Sequence, residues 1–318
     1  MSARMLAALF ALFAAASEAR AGVFDFCKGT SQTLIGDGFG SLFSAYKDNY
    51  FITGFHDGES LDQVKFQLSV KFDVIPRPDS QCSVFFGYTQ KSFWRLYAGS
   101  APFEDNNYNP DLFWAWTPVD SSRLRKPQGG SDWRFVYLHV GAEHESNGRG
   151  DVEIDPVTLQ PTAPSRGWNR VYARARWEVP LPQEWSFFIT PKGWIPFLGL
   201  DGNPELLHYV GSFQLTLELS HETAAKDGLR STDFSLGAAA RKGWSRDPGK
   251  GSIEAWARFR VGCLGPLSIS LYAQYYVGYG EGLLHYRESS NVLRIGFATD
   301  DRAAWNTTGP TLTTLAAR

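Results

Sequence analysis

The sequence predicts an all-β fold, a transmembrane antiparallel β-barrel of about 12 strands. Three observations lead there. Side chains alternate with period two over runs of roughly ten residues, the spacing of strands and not of helices. One face of the cleanest run is charged, which suits a wet lumen and not a dry core. Beyond an N-terminal export signal, no apolar stretch is long enough to cross a membrane as a helix, so the mature chain is either exported and soluble or a barrel.

The chain has 318 residues, which suits one large domain or two small ones. It opens with Arg4, an unbroken apolar run from Met5 to Ala16, and a small-x-small site at Ala19-Arg20-Ala21. Residues 1–21 read as a signal peptide, with Gly22 as the first mature residue. The run is short for a transmembrane helix, and a short membrane anchor is the other reading. No cysteine closely follows the cleavage site, which argues against a lipoprotein. Residues 22–48 are expected to form an N-terminal periplasmic segment, 49–299 the barrel with its site, and 300–318 a C-terminal tail. Export permits a disulfide, and Cys27 and Cys82 are candidates; inert thiols are the equal alternative for Cys27, Cys82 and Cys263.

Lys and Arg total 31 against 33 Asp and Glu. That balance excludes the basic excess of a nucleic-acid binder. Aromatics reach 15%, with 11 Trp, more than a soluble domain usually carries.

Strands are expected near 49–55, 63–74, 82–94, 110–117, 132–145, 169–179, 185–194, 210–221, 231–240, 252–262, 267–278 and 290–299. In the run at 169–179, Val171, Ala173, Ala175 and Trp177 share one face, and Arg170, Tyr172, Arg174, Arg176 and Glu178 the other. In the run from 132, Arg134, Val136, Leu138, Val140, Ala142, His144 and Ser146 share a face opposite Phe135, Tyr137, His139 and Glu143. An even strand count puts both barrel ends in the periplasm and the loops at 55–62, 95–109, 146–168, 195–209, 241–251 and 279–289 outside. The connection at 118–131 is long for a periplasmic turn. An exported β-sandwich also alternates, but the charged face at 169–179 weighs against it.

His144 and Ser146 continue an apolar face, and Asn169 has the parity of Val171 and Ala173 at the start of the next strand. A hairpin brings the end of one strand beside the start of the next, so the three sit close, pointing outward. Polar groups on a lipid-facing strip are costly unless they have a task. These types suit acyl transfer, with Ser146 as nucleophile, His144 as base and then acid, and Asn169 orienting the imidazole. Gly148 permits a backbone that offers an N–H to an oxyanion. The competing reading is a strand end whose His, Ser and Asn face headgroups or cap loops.

The stretches His144-Glu145-Ser146-Asn147-Gly148-Arg149 and Ser165-Arg166-Gly167-Trp168-Asn169-Arg170 carry a resemblance. So do Val64-Lys65-Phe66-Gln67-Leu68-Ser69, Tyr88-Thr89-Gln90-Lys91-Ser92-Phe93-Trp94, Pro102-Phe103, Asn107-Tyr108-Asn109-Pro110 and Gly278-Tyr279-Gly280-Glu281. Together these resemble the outer membrane phospholipase A family (bacterial integral outer-membrane phospholipase A1) over residues 48–299. The resemblance implies a twelve-stranded barrel in the bacterial outer membrane, hydrolysis of phospholipids and lysophospholipids with Ca2+, and activation as a homodimer. It assigns His144, Ser146 and Asn169 to catalysis and Gly148 to the oxyanion amide. It assigns Arg149 and Ser165 to the calcium site of one subunit, and Ser100 to the residue reaching in from the partner. It also makes Gln90, on the face of Val84, Phe86 and Tyr88, a candidate for an intersubunit hydrogen bond, and a lumen contact is the other reading if the register is shifted by one. Three departures stand out: a longer 150–164 link containing Asp151, Glu153 and Asp155, Ala101 where a second small polar residue is expected beside Ser100, and the tail.

Other features carry less. Asp151, Glu153 and Asp155 alternate and could hold a hard cation, but read more simply as a solvated loop. Gly249-Lys250-Gly251-Ser252 lacks the strand–loop–helix setting of a phosphate loop. His139 reads as a structural hydrogen-bonder in the lumen. Three functions remain open: an integral lipid esterase, a non-catalytic outer-membrane channel or scaffold, and a soluble exported lipase.

Overall fold

In the computed structural model the described residues are 43–56, 61–74, 82–117, 133–150, 164–224, 230–264 and 267–301. They form thirteen strands in one antiparallel sheet: β1 (Phe43–Ala45), β2 (Asn49–His56), β3 (Leu61–Asp73), β4 (Cys82–Trp94), β5 (Phe103–Trp116), β6 (Arg134–Ser146), β7 (Gly167–Pro180), β8 (Trp185–Leu198), β9 (Phe213–Ala224), β10 (Arg230–Lys242), β11 (Gly251–Leu264), β12 (Leu267–Tyr279) and β13 (Ser289–Asp301). A short helix, α1 (Leu206–Val210), lies between β8 and β9. Sequential neighbours pair from β2 to β13, and β13 pairs back onto β2, which closes a twelve-stranded barrel. β1 lies on β3 just ahead of β2, so the two read as one strand interrupted at Tyr46–Asp48. The sheet therefore begins ahead of the expected start at 49.

Most strands have 13 or 14 residues, more than the roughly 9–11 a tilted strand needs to cross a bilayer. The wall is inside out relative to a soluble protein. Leu68, Leu112, Val140, Val171, Ile195, Ile295 and Phe297 are exposed on the outer face, while Lys65, Asp111, Glu143, Gln274 and Arg294 are buried in the lumen. Rings gather near one end of the wall, with Trp116 5.2 Å from Phe135 and Phe135 5.5 Å from Trp177. They gather again near the other, where Trp94 lies 5.3 Å from Phe103. Two aromatic belts flanking an apolar band are what a membrane interface selects.

The lumen is filled. Lys65 donates to Gln274 at 2.7 Å and to Glu281 at 3.1 Å, and Arg294 meets Glu281 at 2.6 Å. Tyr46 and Tyr172 both donate to Asp111. At the rim, Leu206, Leu207, Val210, Leu283 and Tyr286 pack on Trp168, Tyr172 and Trp194.

The observed strands differ from the expected ones in three informative places. β5 starts at Phe103, inside the expected 95–109 loop, because its turn-forming residues have partners. Asn107 donates to Asp105, Ser92 donates to Asn106, and Asn109 donates to the His144 carbonyl. Second, a bulge between Phe135 and Tyr137 breaks the β6–β7 register, so the alternation does not run through from Arg134 to Ser146. Phe135 joins Trp177 on the outer belt, not the lumen face assigned to it by unbroken alternation. Third, β8 runs on to Leu198 and α1 follows, where 195–209 reads as a loop. The alternation at 169–179 holds: Arg170, Tyr172, Arg176 and Glu178 are buried, and Val171 is exposed. The signal segment, Cys27, the cation candidates Asp151, Glu153 and Asp155, and residues 302–318 lie outside the described residues.

Candidate active site

β6 ends and β7 begins at one rim, and their ladder sets His144 opposite Asn169 and Ser146 opposite Gly167. His144 and Ser146 share the outward parity of exposed Val140 and Ala142. Nδ1 of His144 lies 3.0 Å from Oδ1 of Asn169. An amide oxygen only accepts, so the imidazole carries its proton on Nδ1 and leaves the Nε2 lone pair free to act as a base. All three expected catalytic residues are thus brought to one patch of the wall.

Gly167 keeps that patch open. A Cβ there would lie 3.2 Å from Cβ of Ser146 and 3.6 Å from Cε1 of His144, so both residues border one gap that no side chain fills. Gly148 has φ 63°, a left-handed backbone that glycine adopts without penalty. It also backs onto Tyr108, whose Cε2 would stand 2.4 Å from an added Cβ. Tyr108 is itself the rung partner of Ser146 on the β5 side. The backbone beside Ser146 is therefore fixed by both conformation and packing.

Asn147, buried, joins the chain after Ser146 to the segment ahead of β7. Its N–H donates to the Arg166 carbonyl at 2.9 Å and its Nδ2 to the Pro164 carbonyl at 3.0 Å. Its Oδ1 accepts from the backbone N–H of Arg166 at 2.9 Å and of Arg149 at 3.4 Å. One amide side chain thereby brings the Arg149 and Ser165 stretches together. The Arg149 guanidinium donates to the Glu104 carbonyl at 2.5 Å, and Ser165 is exposed. Ser100 stands on the neighbouring β4–β5 loop with φ 62°, exposed; Trp94 donates to the Ala101 carbonyl at 2.8 Å and holds that loop. Among the described residues, no cluster of three or more His, Cys, Asp or Glu is placed to hold a metal ion. The oxygens that Arg149, Ser165 and Ser100 offer are carbonyl and hydroxyl groups, the hard donors that calcium accepts.

Gln90 faces outward as expected, but its amide is engaged within the strand. It accepts from Tyr88 Oη at 3.3 Å and donates to Ser92 Oγ at 3.1 Å. The Gln90 amide, through Oε1 and Nε2, has further capacity beyond these two bonds. His139 is buried in the lumen, 3.0 Å from Arg174, a structural role. Lys250 sits over the rings of Tyr209 and Tyr279 at 4.6 and 4.2 Å, in a turn and not a phosphate loop.

Gly167, Tyr108 and Asn147 stand in the stretches that carry the resemblance, but the sequence alone assigns them no role. Parity does imply the place of Gly167: once His144 is set opposite Asn169, antiparallel counting puts Gly167 opposite Ser146. Tyr108 and Asn147 act through loop contacts that no periodicity encodes.

Comparison with known proteins gives a consistent result. The sequence profile of the family described as Phospholipase A1 matches residues 45–299. Phospholipase A1 of Escherichia coli K12 is 31% identical over 245 residues, 76% of this chain and 70% of the relative. Phospholipase A1 of Klebsiella pneumoniae is 30% identical over 243 residues, 76% of this chain and 71% of the relative. The solved structure of outer membrane phospholipase A from Escherichia coli aligns with a TM-score of 0.62 at 26% identity, over 86% of this chain and 96% of that one. The Salmonella typhi outer membrane phospholipase, a dimer with bound calcium, aligns with a TM-score of 0.62 at 27% identity, over 85% and 96%.

Proposed function

This chain belongs to the phospholipase A1 family of outer-membrane β-barrels, and from that premise we propose that it hydrolyses both A1- and A2-position acyl esters of phospholipids, and those of lysophospholipids, at Ser146, with calcium and as a homodimer. The observation that carries the reading is the 3.0 Å His144–Asn169 contact beside Ser146 on the lipid-facing wall. Ser146 Oγ attacks the ester carbonyl while His144 Nε2 takes its proton. The imidazolium returns that proton to the departing alcohol, leaving an acyl ester on Ser146. Water, deprotonated by the same nitrogen, then releases the fatty acid and restores the serine. Asn169 holds the ring in the productive tautomer. The Gly148 N–H stabilises the oxyanion.

Arg149 and Ser165 of one subunit, with the partner subunit's Ser100, would hold the cation. Bound there, calcium supplies positive charge near the developing oxyanion. Too few oxygens come from one chain to satisfy a cation that takes roughly six to eight, so water and the partner complete the shell. Pairing two walls also covers a polar patch that would otherwise face lipid, and offers acyl chains a cleft. The site then lies at the extracellular leaflet of the outer membrane.

A non-catalytic channel is the other reading of the barrel. The buried Lys65–Gln274–Glu281–Arg294 set and the packed rim work against it, since they fill the bore. The test is fatty-acid release by folded protein in phospholipid–detergent micelles, with and without calcium, beside Ser146→Ala. Release that disappears with Ser146 or with chelation supports the reading, and release independent of both overturns it.

A further inference from the structure

The rung that pairs His144 with Asn169 has little backbone support on either flank. On the β5 side the ladder pairs Tyr108 with Ser146 and Asp111 with Glu143, in one register, but lacks the rungs between them. Pro110 stands in that gap without an N–H to give. The Asn109 side chain fills part of it, donating to the His144 carbonyl at 2.6 Å. On the β8 side the register slips between Asn169 and Arg170, and Arg170 faces Pro196. Neither outer neighbour therefore braces the rung, which is left to the β6–β7 ladder itself, regular from Tyr137–Arg176 to Ser146–Gly167.

Side chains on the lumen face add to that ladder. Alternation turns the neighbours of His144, Glu143 and Glu145, inward, together with the neighbours of Asn169, Trp168 and Arg170. These four are bonded to one another. Arg170 donates through Nε to Glu143 at 2.5 Å and through Nη1 to Glu145 at 2.8 Å. Trp168 Nε1 donates to Glu145 at 3.3 Å, and the guanidinium lies 4.0 Å over the Trp168 ring. Lys192 adds a contact to Glu143 at 2.5 Å.

We propose that Arg170 is a positioning residue: by gripping both neighbours of His144 from behind the wall, it fixes the rung on which His144 meets Asn169. A planar guanidinium reaches two carboxylates at once in a set geometry, which an ammonium does not. Its fixed fork adds to the hold of the β6–β7 ladder and limits small shifts of β7 against β6 that would separate the two outward side chains. The lumen charges thus serve the lipid-facing site without touching substrate. This inference rests on the His144–Asn169 reading of catalysis given above.

The test is a double-mutant cycle on the full-length, calcium-loaded dimer in mixed micelles. Arg170→Gln lowers kcat about 10- to 100-fold, the cost of a misplaced catalytic group, with KM and the calcium-induced dimer fraction unchanged. In an Asn169→Ala background the same change costs less than about threefold more, because the pairing it protects is already gone. Arg170→Lys falls between wild type and Arg170→Gln. Folding is checked by electrophoretic mobility with and without heating. If Arg170→Gln does not fold, Glu145→Gln, which weakens one of the two grips, is read in the same cycle. Undiminished kcat, or an equal loss in both backgrounds, overturns the proposal. Ser146→Ala runs alongside: if it stays active, the assignment of the nucleophile falls and this inference with it. If it is inert while Arg170→Gln keeps full activity, only the role of Arg170 falls.

Discussion

His144 and Asn169 face each other across one rung of the β6–β7 ladder, with Nδ1 3.0 Å from Oδ1. In the proposed reaction the orienting partner is an amide, so no fixed negative charge stands against the imidazolium. Its contribution is geometric, which separates the expected effects of the three residues. Ser146→Ala and His144→Ala each lower kcat by about 10⁴-fold or more, and the double variant is little worse than either. Asn169→Ala costs roughly 10- to 100-fold, since it positions and does not react. All three fold, because they lie on the outer wall and outside the lumen network.

Gly148 makes a separate prediction through Tyr108. Alanine at 148 meets a left-handed backbone costing roughly 1–2 kcal/mol. Its Cβ would also stand 2.4 Å from the Tyr108 ring, so the loop must move. The Gly148 N–H, the proposed oxyanion donor, moves with it. Gly148→Ala is expected to lower kcat about 100-fold with KM little changed. Full kcat in a folded Gly148→Ala variant would show that the oxyanion donor lies elsewhere.

Calcium and dimer formation are expected to titrate together. Ser100→Ala and Ser165→Ala each raise the calcium concentration needed for half-maximal dimer formation, measured by sedimentation in detergent. Activity follows the dimer fraction and not the total protein. Full activity from a chelator-treated monomer would contradict the shared site.

Acid stability reports on the filled lumen. Glu281, in the β12–β13 loop, is buried, which opposes ionisation, but Lys65 and Arg294 outweigh burial and hold its carboxyl at about 2. A carboxylate depressed in the folded state contributes stability that is present above its unfolded value, near ~4.3, and lost as pH falls toward about 2. Glu281→Gln leaves two buried cations short of a partner and lowers stability by roughly 3–5 kcal/mol at neutral pH. The gap between wild type and variant should narrow as pH falls through that window. A gap that stays constant would mean Glu281 is not the linked group.

The barrel was legible because one strand exposed its logic. Arg170, Arg174, Arg176 and Glu178 on one face, against Val171 and Ala173 on the other, state a polar lumen and an apolar exterior. Parity alone also put His144, Ser146 and Asn169 on the outer wall. What was illegible depends on events that break parity or lie off the strand. The bulge at Val136 flips the alternation, and nothing in Phe135-Val136-Tyr137 announces it. The start of β5 is hidden by Asn106, Asn107, Asn109 and Pro110, which favour turns until tertiary partners satisfy them. The clasp of Arg170 on Glu143 and Glu145 needs the register first, and only then is it implied by the sequence.

The most direct test of the central claim is fatty-acid release from phospholipid in mixed micelles by the folded, calcium-loaded protein, measured for wild type and Ser146→Ala in the same preparation. Catalysis at the lipid-facing wall predicts steady release by the wild type and none above background from the variant, with both barrels equally folded. Equal release by the two would contradict it.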